Sequence, residues 1–384
     1  MTATATRPTI PGSRYADRLA RAAKAAAAEG LDALLIAVGA DLDYLTGYGA
    51  IVTERLTMLV LPAAGGPSLV VPRLERPAAE AGLRTDLRIE TWEETDDPFR
   101  LVAGLLREAG ETRRAGVSDR LWALHLLRLQ ATLPGTTFRS ATTALRALRI
   151  IKDADEIELL RLAAEAADRV VDQIAGGPLV GRTEADVARE VRDRLIVEGH
   201  DVAEFAIVAS GPNSASPHHE ASERVIGAGE PIVLDIGGLL GGYASDTTRT
   251  LWVTGGDVAK GPDEAYRHRY AVLLAAQESA TRAVRPGIAA EAVDAVARAL
   301  ITSEGYGEQF IHRTGHGIGL EGHEDPYLVA GNRETLSEGM AFSIEPGIYV
   351  AGEAGARIED IVVCGSDGPI ALNQSSRALR VVDG

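Results

Sequence analysis

His312-Arg-Thr-Gly-His316-Gly-Ile-Gly-Leu-Glu-Gly-His323 sets three imidazoles among four glycines within twelve residues. Gly315, Gly317 and Gly319 are expected to let the backbone turn tightly beside His316, which favours an imidazole exposed at a site over one packed in a core. A phosphate-cradling reading of Gly-x-Gly-x-Gly is set aside, because no buried strand precedes the run and no ribose-binding acid follows about 20 residues on. Six of the eight histidines fall after residue 217, so the chemistry concentrates in that part of the chain.

Around this segment, four carboxylates sit in apolar, β-like runs. Asp235 ends Ile232-Val-Leu-Asp235, and Asp246 lies in Gly242-Tyr-Ala-Ser-Asp246-Thr-Thr-Arg. Glu345 lies in Ala341-Phe-Ser-Ile-Glu345-Pro, and Glu359 in Ala356-Arg-Ile-Glu359-Asp-Ile. One acid in a strand is ordinarily a solvated, outward-facing residue. Four together are harder to dismiss, since burying ionised carboxylates costs several kcal/mol each unless they are paired or bind a cation. No lysine is near them in sequence, so metal ions are the natural compensation. The strand period places Arg357 and Glu359 on one face and turns Ile358 into packing. One histidine with four carboxylates is an oxygen-rich set that suits Mn²⁺, Co²⁺ or a bridged pair of Zn²⁺. Other hydrolytic designs fit less well: the sequence has no His-Glu-x-x-His and no Gly-x-Ser-x-Gly, and its single cysteine, Cys364, sits in an apolar strand.

The chain of 384 residues carries 55 acidic and 39 basic residues, for a net charge of −16. That charge disfavours nucleic acid and anionic lipid as partners. The 46% hydrophobic content supports large cores, and the length suggests two domains. The opening segment lacks a signal-peptide core and no run is long enough to span a membrane, so cytoplasmic residence is the expectation. Strands are expected at Ala33–Ala37, Leu56–Leu61 and Ser68–Val71, with helices at Arg14–Glu29, Phe99–Ala109 and Leu121–Thr132. This describes a smaller α/β domain over residues 1–150. Residues 151–384 carry longer helices, at Glu156–Gln173, Thr183–Glu198, Asp263–Ala283 and Ala289–Glu304. They also show an internal echo. Gly181 and Gly199 bracket one helix, and Gly287 and Gly305 another at the same spacing, with Val187 and Val293 at matching places. Two ordinary helices ending on C-cap glycines, or a duplicated ααβ half, would each explain it.

These residues resemble the metal-binding pattern of the pita-bread metallopeptidases, the family of methionine aminopeptidase, aminopeptidase P and prolidase. The family's ligand order Asp, Asp, His, Glu, Glu is matched by Asp235, Asp246, His316, Glu345 and Glu359. The resemblance implies an α+β fold in which duplicated ααβ halves form a pita-bread catalytic domain, preceded by a creatinase-type α/β domain. It also implies two divalent ions, Mn²⁺ foremost, with Asp235 on one, Asp246 and Glu359 bridging, and His316 with Glu345 on the other. Glu345 would double as proton shuttle. Ser210-Gly-Pro-Asn-Ser-Ala-Ser-Pro-His218-His219 resembles the family segment ending in a histidine that lines the site, a role assigned to His218 ahead of His219. His323 resembles the histidine that steadies the substrate carbonyl or oxyanion.

The additional N-terminal domain, and Tyr44-Leu-Thr-Gly-Tyr48 within it, resemble the aminopeptidase P and prolidase group. The implied activity is hydrolysis of small peptides with proline second, by a homodimer joined through the N-terminal domain. A creatinase-like hydrolase of a small amide or amidine, and a non-catalytic peptide-binding module, are the alternatives. In one place the chain departs from the pattern. Some prolidases carry, four residues after the second site histidine, an arginine that grips the dipeptide carboxylate; Tyr327 stands there. Either Arg357 supplies that charge, or longer peptides are accepted.

Overall fold

The computed structural model describes residues 7–384, which divide into two compact units, Thr9–Arg149 and Ile150–Gly384, with Arg7 and Pro8 joined to the second. In the first unit a mixed sheet runs in the order Arg88–Trp92, Ser68–Pro72, Met58–Pro62, Ala33–Ala37, Arg114–Val117, Thr137–Ser140. Ala33–Ala37 is buried along its whole length, as a continuous apolar run covered on both faces should be. It pairs antiparallel with Met58–Pro62 and parallel with Arg114–Val117. The helices Gly12–Ala28, Pro98–Ala109 and Ala123–Thr132 follow the apolar periodicity to within two residues at each end.

The second unit opens with α1 (Ala154–Ala175) and α2 (Glu184–Val197), then the strands β1 (Val202–Ser210), β2 (Glu230–Leu240) and β3 (Tyr243–Val253). Helices α3 (Glu264–Ala283) and α4 (Ala290–Ser303) follow. After them come β4 (Gly315–Gly317), β5 (Glu324–Leu328), β6 (Ala341–Ile344), β7 (Gly347–Val350), β8 (Ala354–Arg357), β9 (Asp360–Gly365), β10 (Gly368–Ala371) and β11 (Arg380–Val382). One sheet is ordered β11-β3-β2-β1 and another β5-β4-β6-β9-β10. The acids that open α1 are a capping box: the Asp153 carboxylate accepts from the Glu156 amide, and Glu156 accepts from the Asp153 amide.

The glycine echo is a structural duplication. Gly181 N–H donates to Ile226 O and Gly287 N–H to Leu336 O, each at 2.9 Å. Beyond each helix, His200 N–H donates to Leu195 O and Tyr306 N–H to Ile301 O, each at 3.0 Å. Gly181 and Gly287, which precede the helices and so are not C-caps, have φ of 86° and 90°. The bonds beyond each helix are an ordinary closure that Leu31 N–H and Ala26 O also make, so the duplication rests on the bonds before each helix, which the matching bridges Thr183–Val225 and Ala289–Thr335 extend. Each half has its own core: Val187 and Val191 pack with Leu234 and Leu251 in the first, and Val293 packs with Phe342, Ile358 and Cys364 in the second.

Candidate metal centre

β2 and β3 are joined at Gly241 and Gly242, whose φ of 64° and 83° side chains rarely adopt. The register pairs Asp235 with Thr248 and Gly237 with Asp246. Because side chains alternate faces, Asp246 shares the face of Thr248 and stands diagonally across from Asp235. The eleven-residue spacing of the aspartates is thus the spacing of a tight hairpin. From the second half, Glu359 N–H donates to Thr248 O at 3.1 Å, while the Thr248 hydroxyl donates to Glu359 Oε2 at 2.7 Å.

Glu345 and Glu359 are not inside strands, as expected above, but at their ends. Glu345 follows β6 by one residue and is itself followed by Pro346, which has no N–H to continue a ladder. Glu359 lies at the break between β8 and β9, with Ile358 fully buried in the apolar core and Arg357 reaching the same Thr248 hydroxyl. The glycines around His316 also differ from expectation. None of Gly315, Gly317 and Gly319 has a positive φ. A Cβ on Gly315 would lie 1.9 Å from Ser343 O, and one on Gly317 2.1 Å from Asp325 O. The glycines let β5 and β6 close on either side of β4, and His316 is buried rather than exposed.

The five residues meet. Ligand atoms of Asp235, Asp246 and Glu359 lie within 4.8 Å of one another, as do those of His316, Glu345 and Glu359, and those of Asp246, His316 and His323. His316 Nε2 is 3.2 Å from Glu345 Oε1 and 3.6 Å from Asp246 Oδ2. The cluster fits divalent cations on three observations. Among the described residues, the buried Asp235 Oδ1 and Glu359 Oε1 have no hydrogen-bond partner. His316 Nδ1 sits 3.1 Å from Gly317 O; donating there leaves the Nε2 lone pair facing carboxylates, an arrangement that needs a cation between them. Burial, reinforced by the Asp235 and Glu345 charges, pushes Asp246 well above the usual carboxylate range. Burial and the charges of Asp246, Glu345 and Asp235 do the same to Glu359. Burial, opposed by Arg357 and reinforced by Asp235, pushes Glu345 up to about 7. Burial holds His316 down at about 3, so its imidazole is neutral, as a ligand's would have to be. Lys152, remote in sequence, does approach this half, but its ammonium is buried against Glu324 and serves none of the five.

Residues 158–366 match the model of metallopeptidase family M24, and residues 18–151 that of the creatinase/prolidase N-terminal domain. The chain belongs to metallopeptidase family M24. This M24 member is 48% identical over 371 residues to a probable dipeptidase PepE of Mycobacterium tuberculosis, covering 96% of each chain. It is 34% identical over 348 residues to a Xaa-Pro dipeptidase of Lactobacillus helveticus, covering 89% of this chain and 92% of that one. A crystal structure of the dipeptidase PepE from Mycobacterium ulcerans superposes with a TM-score of 0.89 at 45% identity, over 98% of this chain and 100% of that one.

The remaining expected residues of this M24 enzyme are distributed unequally. The His323 ring centroid lies 3.8 Å from that of His316. His218, exposed on the loop after Gly211–Ala215, is close enough for its charge to bear on His312 and His323. Its neighbour His219 instead bonds Glu184 at 2.8 Å. Arg357 is buried, and its donors are committed to Asp235 Oδ2, Thr248 Oγ1, the Tyr349 hydroxyl and Pro217 O. It is therefore not the free carboxylate grip that the sequence allowed. Two neighbours, Tyr349 and Arg313, carried no signal of their own. Tyr349 OH accepts from Arg357 at 2.7 Å and lies 2.9 Å from His312 Nε2, and Arg313 lies beside His323. Burial keeps His312 at about 4, hence neutral. The pairing of β7 with β8, which sets Gly347 opposite Arg357, is what brings Tyr349 to the guanidinium.

Proposed function

We propose that the protein is a dinuclear metal-dependent peptidase that cleaves the bond before proline in Xaa-Pro substrates. The buried five-residue cluster with two unpartnered carboxylate oxygens carries this reading, and the Xaa-Pro dipeptidase at 34% identity supports the substrate class. Asp235 would hold one ion, Asp246 and Glu359 would lie between the two, and His316 with Glu345 would hold the other. Mn²⁺ is the ion we favour for so oxygen-rich a set, ahead of Co²⁺ and Zn²⁺. When bound, such a pair supplies an activated water and a Lewis acid for the scissile carbonyl.

The protein's own groups do the rest. Glu345, more exposed than Asp246, His316 or Glu359, accepts the proton of the attacking water and delivers it to the proline nitrogen. His218 and His323 donate hydrogen bonds to the oxygen on which charge develops. Arg357, which also donates to the Tyr349 hydroxyl, holds Asp235 in place. The reading assigns catalysis to residues 151–384 and an accessory role to residues 1–150. It includes a homodimer joined through the N-terminal unit, supported by the exposed Ile51, Trp122, Leu124 and Leu127 there and testable by light scattering. It also includes cytoplasmic residence, in keeping with the lone, unpaired Cys364. No helix among the described residues is long and apolar enough to cross a membrane.

The test is a panel of Ala-Pro, Ala-Pro-Ala and creatine, run before and after chelation. Turnover of a Xaa-Pro peptide that vanishes on chelation and returns with Mn²⁺ is expected. Creatine turnover alone, or no turnover by metal-loaded protein, would overturn the reading.

A further inference from the structure

Gly315 and Gly317 make room for backbone, whereas Gly319 makes room for an ion pair. A Cβ on Gly319 would lie 2.5 Å from Glu324 Oε1 and 3.0 Å from Lys152 Cε. Lys152 and Glu324 meet there, the ammonium donating to Oε1, and their side chains are 1% and 9% exposed. The backbone of Lys152 is fixed in turn: its N–H donates to Gly339 O at 2.9 Å, and Ile151 before it bridges Met340. The pair thus ties the chain just ahead of β6 to the first residue of β5.

A buried ion pair adds little stability over apolar side chains of the same volume, and its best-attested use is to fix register. Register is what β5 lacks at this end. Gly315 pairs with Leu328 and His316 with Tyr327, but Gly317 pairs with Glu324, so Asp325 and Pro326 are left over between them. Pro326 has no N–H to offer the ladder. On the far side of such a bulge the ladder no longer decides where the chain runs, and the residue there, next to Glu324, is His323. Its ring is exposed, yet it stands 3.8 Å from that of His316, with a nitrogen within 4.8 Å of ligand atoms of Asp246 and His316. We propose that Lys152 is a positioning residue: by pinning Glu324 it sets the place of His323, and it acts on the reaction only through that imidazole. This rests on the Xaa-Pro reading above, in which His323 donates to the developing oxyanion.

The test measures kcat and KM for Ala-Pro in the Mn²⁺-loaded protein, with metal content and unfolding temperature as controls. Lys152→Met alone leaves Glu324 as a lone buried charge and should melt lower; Lys152→Met with Glu324→Gln removes both charges and should regain most of that loss. Turnover should not return with it. In this double variant kcat should fall about 10- to 100-fold, part of the roughly 10²- to 10³-fold that one oxyanion donor supplies, with KM and metal content unchanged. Added to His323→Ala, the same two changes should lower kcat by less than about twofold more, because the group they act through is gone. A merely structural role would lower kcat by the same factor in both backgrounds, and that result overturns the assignment. So does a double variant with wild-type kcat, or one that loses its metal. The crystal structure of the double variant reads the assignment without substrate: a His323 ring displaced from His316 is expected, and a ring in its wild-type place overturns it. Failure of the wild type to cleave Ala-Pro, with the ring displaced in the variant, would count against the Xaa-Pro reading instead.

Discussion

Glu359 shows how a buried charge reveals what it is for. One of its oxygens takes the Thr248 hydroxyl and the other has no partner, in a cluster whose carboxylates raise one another's pKa. Without cations the cluster opposes folding. Glu359→Gln should therefore stabilise the metal-free protein by about 1–3 kcal/mol and destabilise the metal-loaded one, with turnover nearly abolished. Thermal melts with and without chelator check both signs, and a variant less stable in both states would contradict the account. The four clustered carboxylates were legible in sequence because acids in apolar runs are conspicuous, whereas His316 was singled out by the family's ligand order rather than by the turn its glycines were expected to make. Arg313 and Tyr349 were not, since an arginine and a tyrosine acquire their meaning here from contacts across a hairpin and a loop. Arg357 was noticed, but its apparent freedom disappeared once Asp235, Thr248 and Tyr349 were seen around it.

At the level of elements, α2 is tied to the loop after β1 by one carboxylate. Glu184, fully buried, accepts from the Ser210 amide and hydroxyl, Asn213, His219 and Ser222. Burial alone would raise its pKa, but the Ser222, Ser210 and His219 bonds win and hold it down to about 2. A carboxylate depressed in the folded state stabilises above its unfolded value near 4.5, and that contribution fades as pH falls towards 2. Glu184→Gln should thus cost roughly 2–3 kcal/mol at pH 7, with the gap to wild type narrowing below pH ~4.5. Denaturant unfolding at pH 7 and pH 4 measures this, and a gap that widened on acidification would refute it. The helices were readable because their 3.6-residue periodicity survives in one dimension. The glycines of β4 were misread because close approach between strands and a tight turn both call for glycine, and the sequence does not distinguish a missing Cβ from a positive φ.

For the molecule as a whole, the division into Thr9–Arg149 and Ile150–Gly384 places the metal cluster entirely in the second unit. Ions that bind the folded form alone stabilise by mass action, about 4 kcal/mol at a thousandfold excess over Kd. Calorimetry should show chelation lowering the transition of the second unit while leaving that of the first in place; an equal shift of both would be inconsistent with separate units. Within the second unit, Asp235 and Asp246 come from one half of the duplication, and His316, Glu345 and Glu359 from the other. Neither half holds the full set. Retained metal is therefore a census of correctly closed molecules: a chain with one half misfolded or slipped in register by a single residue surrenders its ions, and bound metal per chain reports the native fraction before any substrate is added.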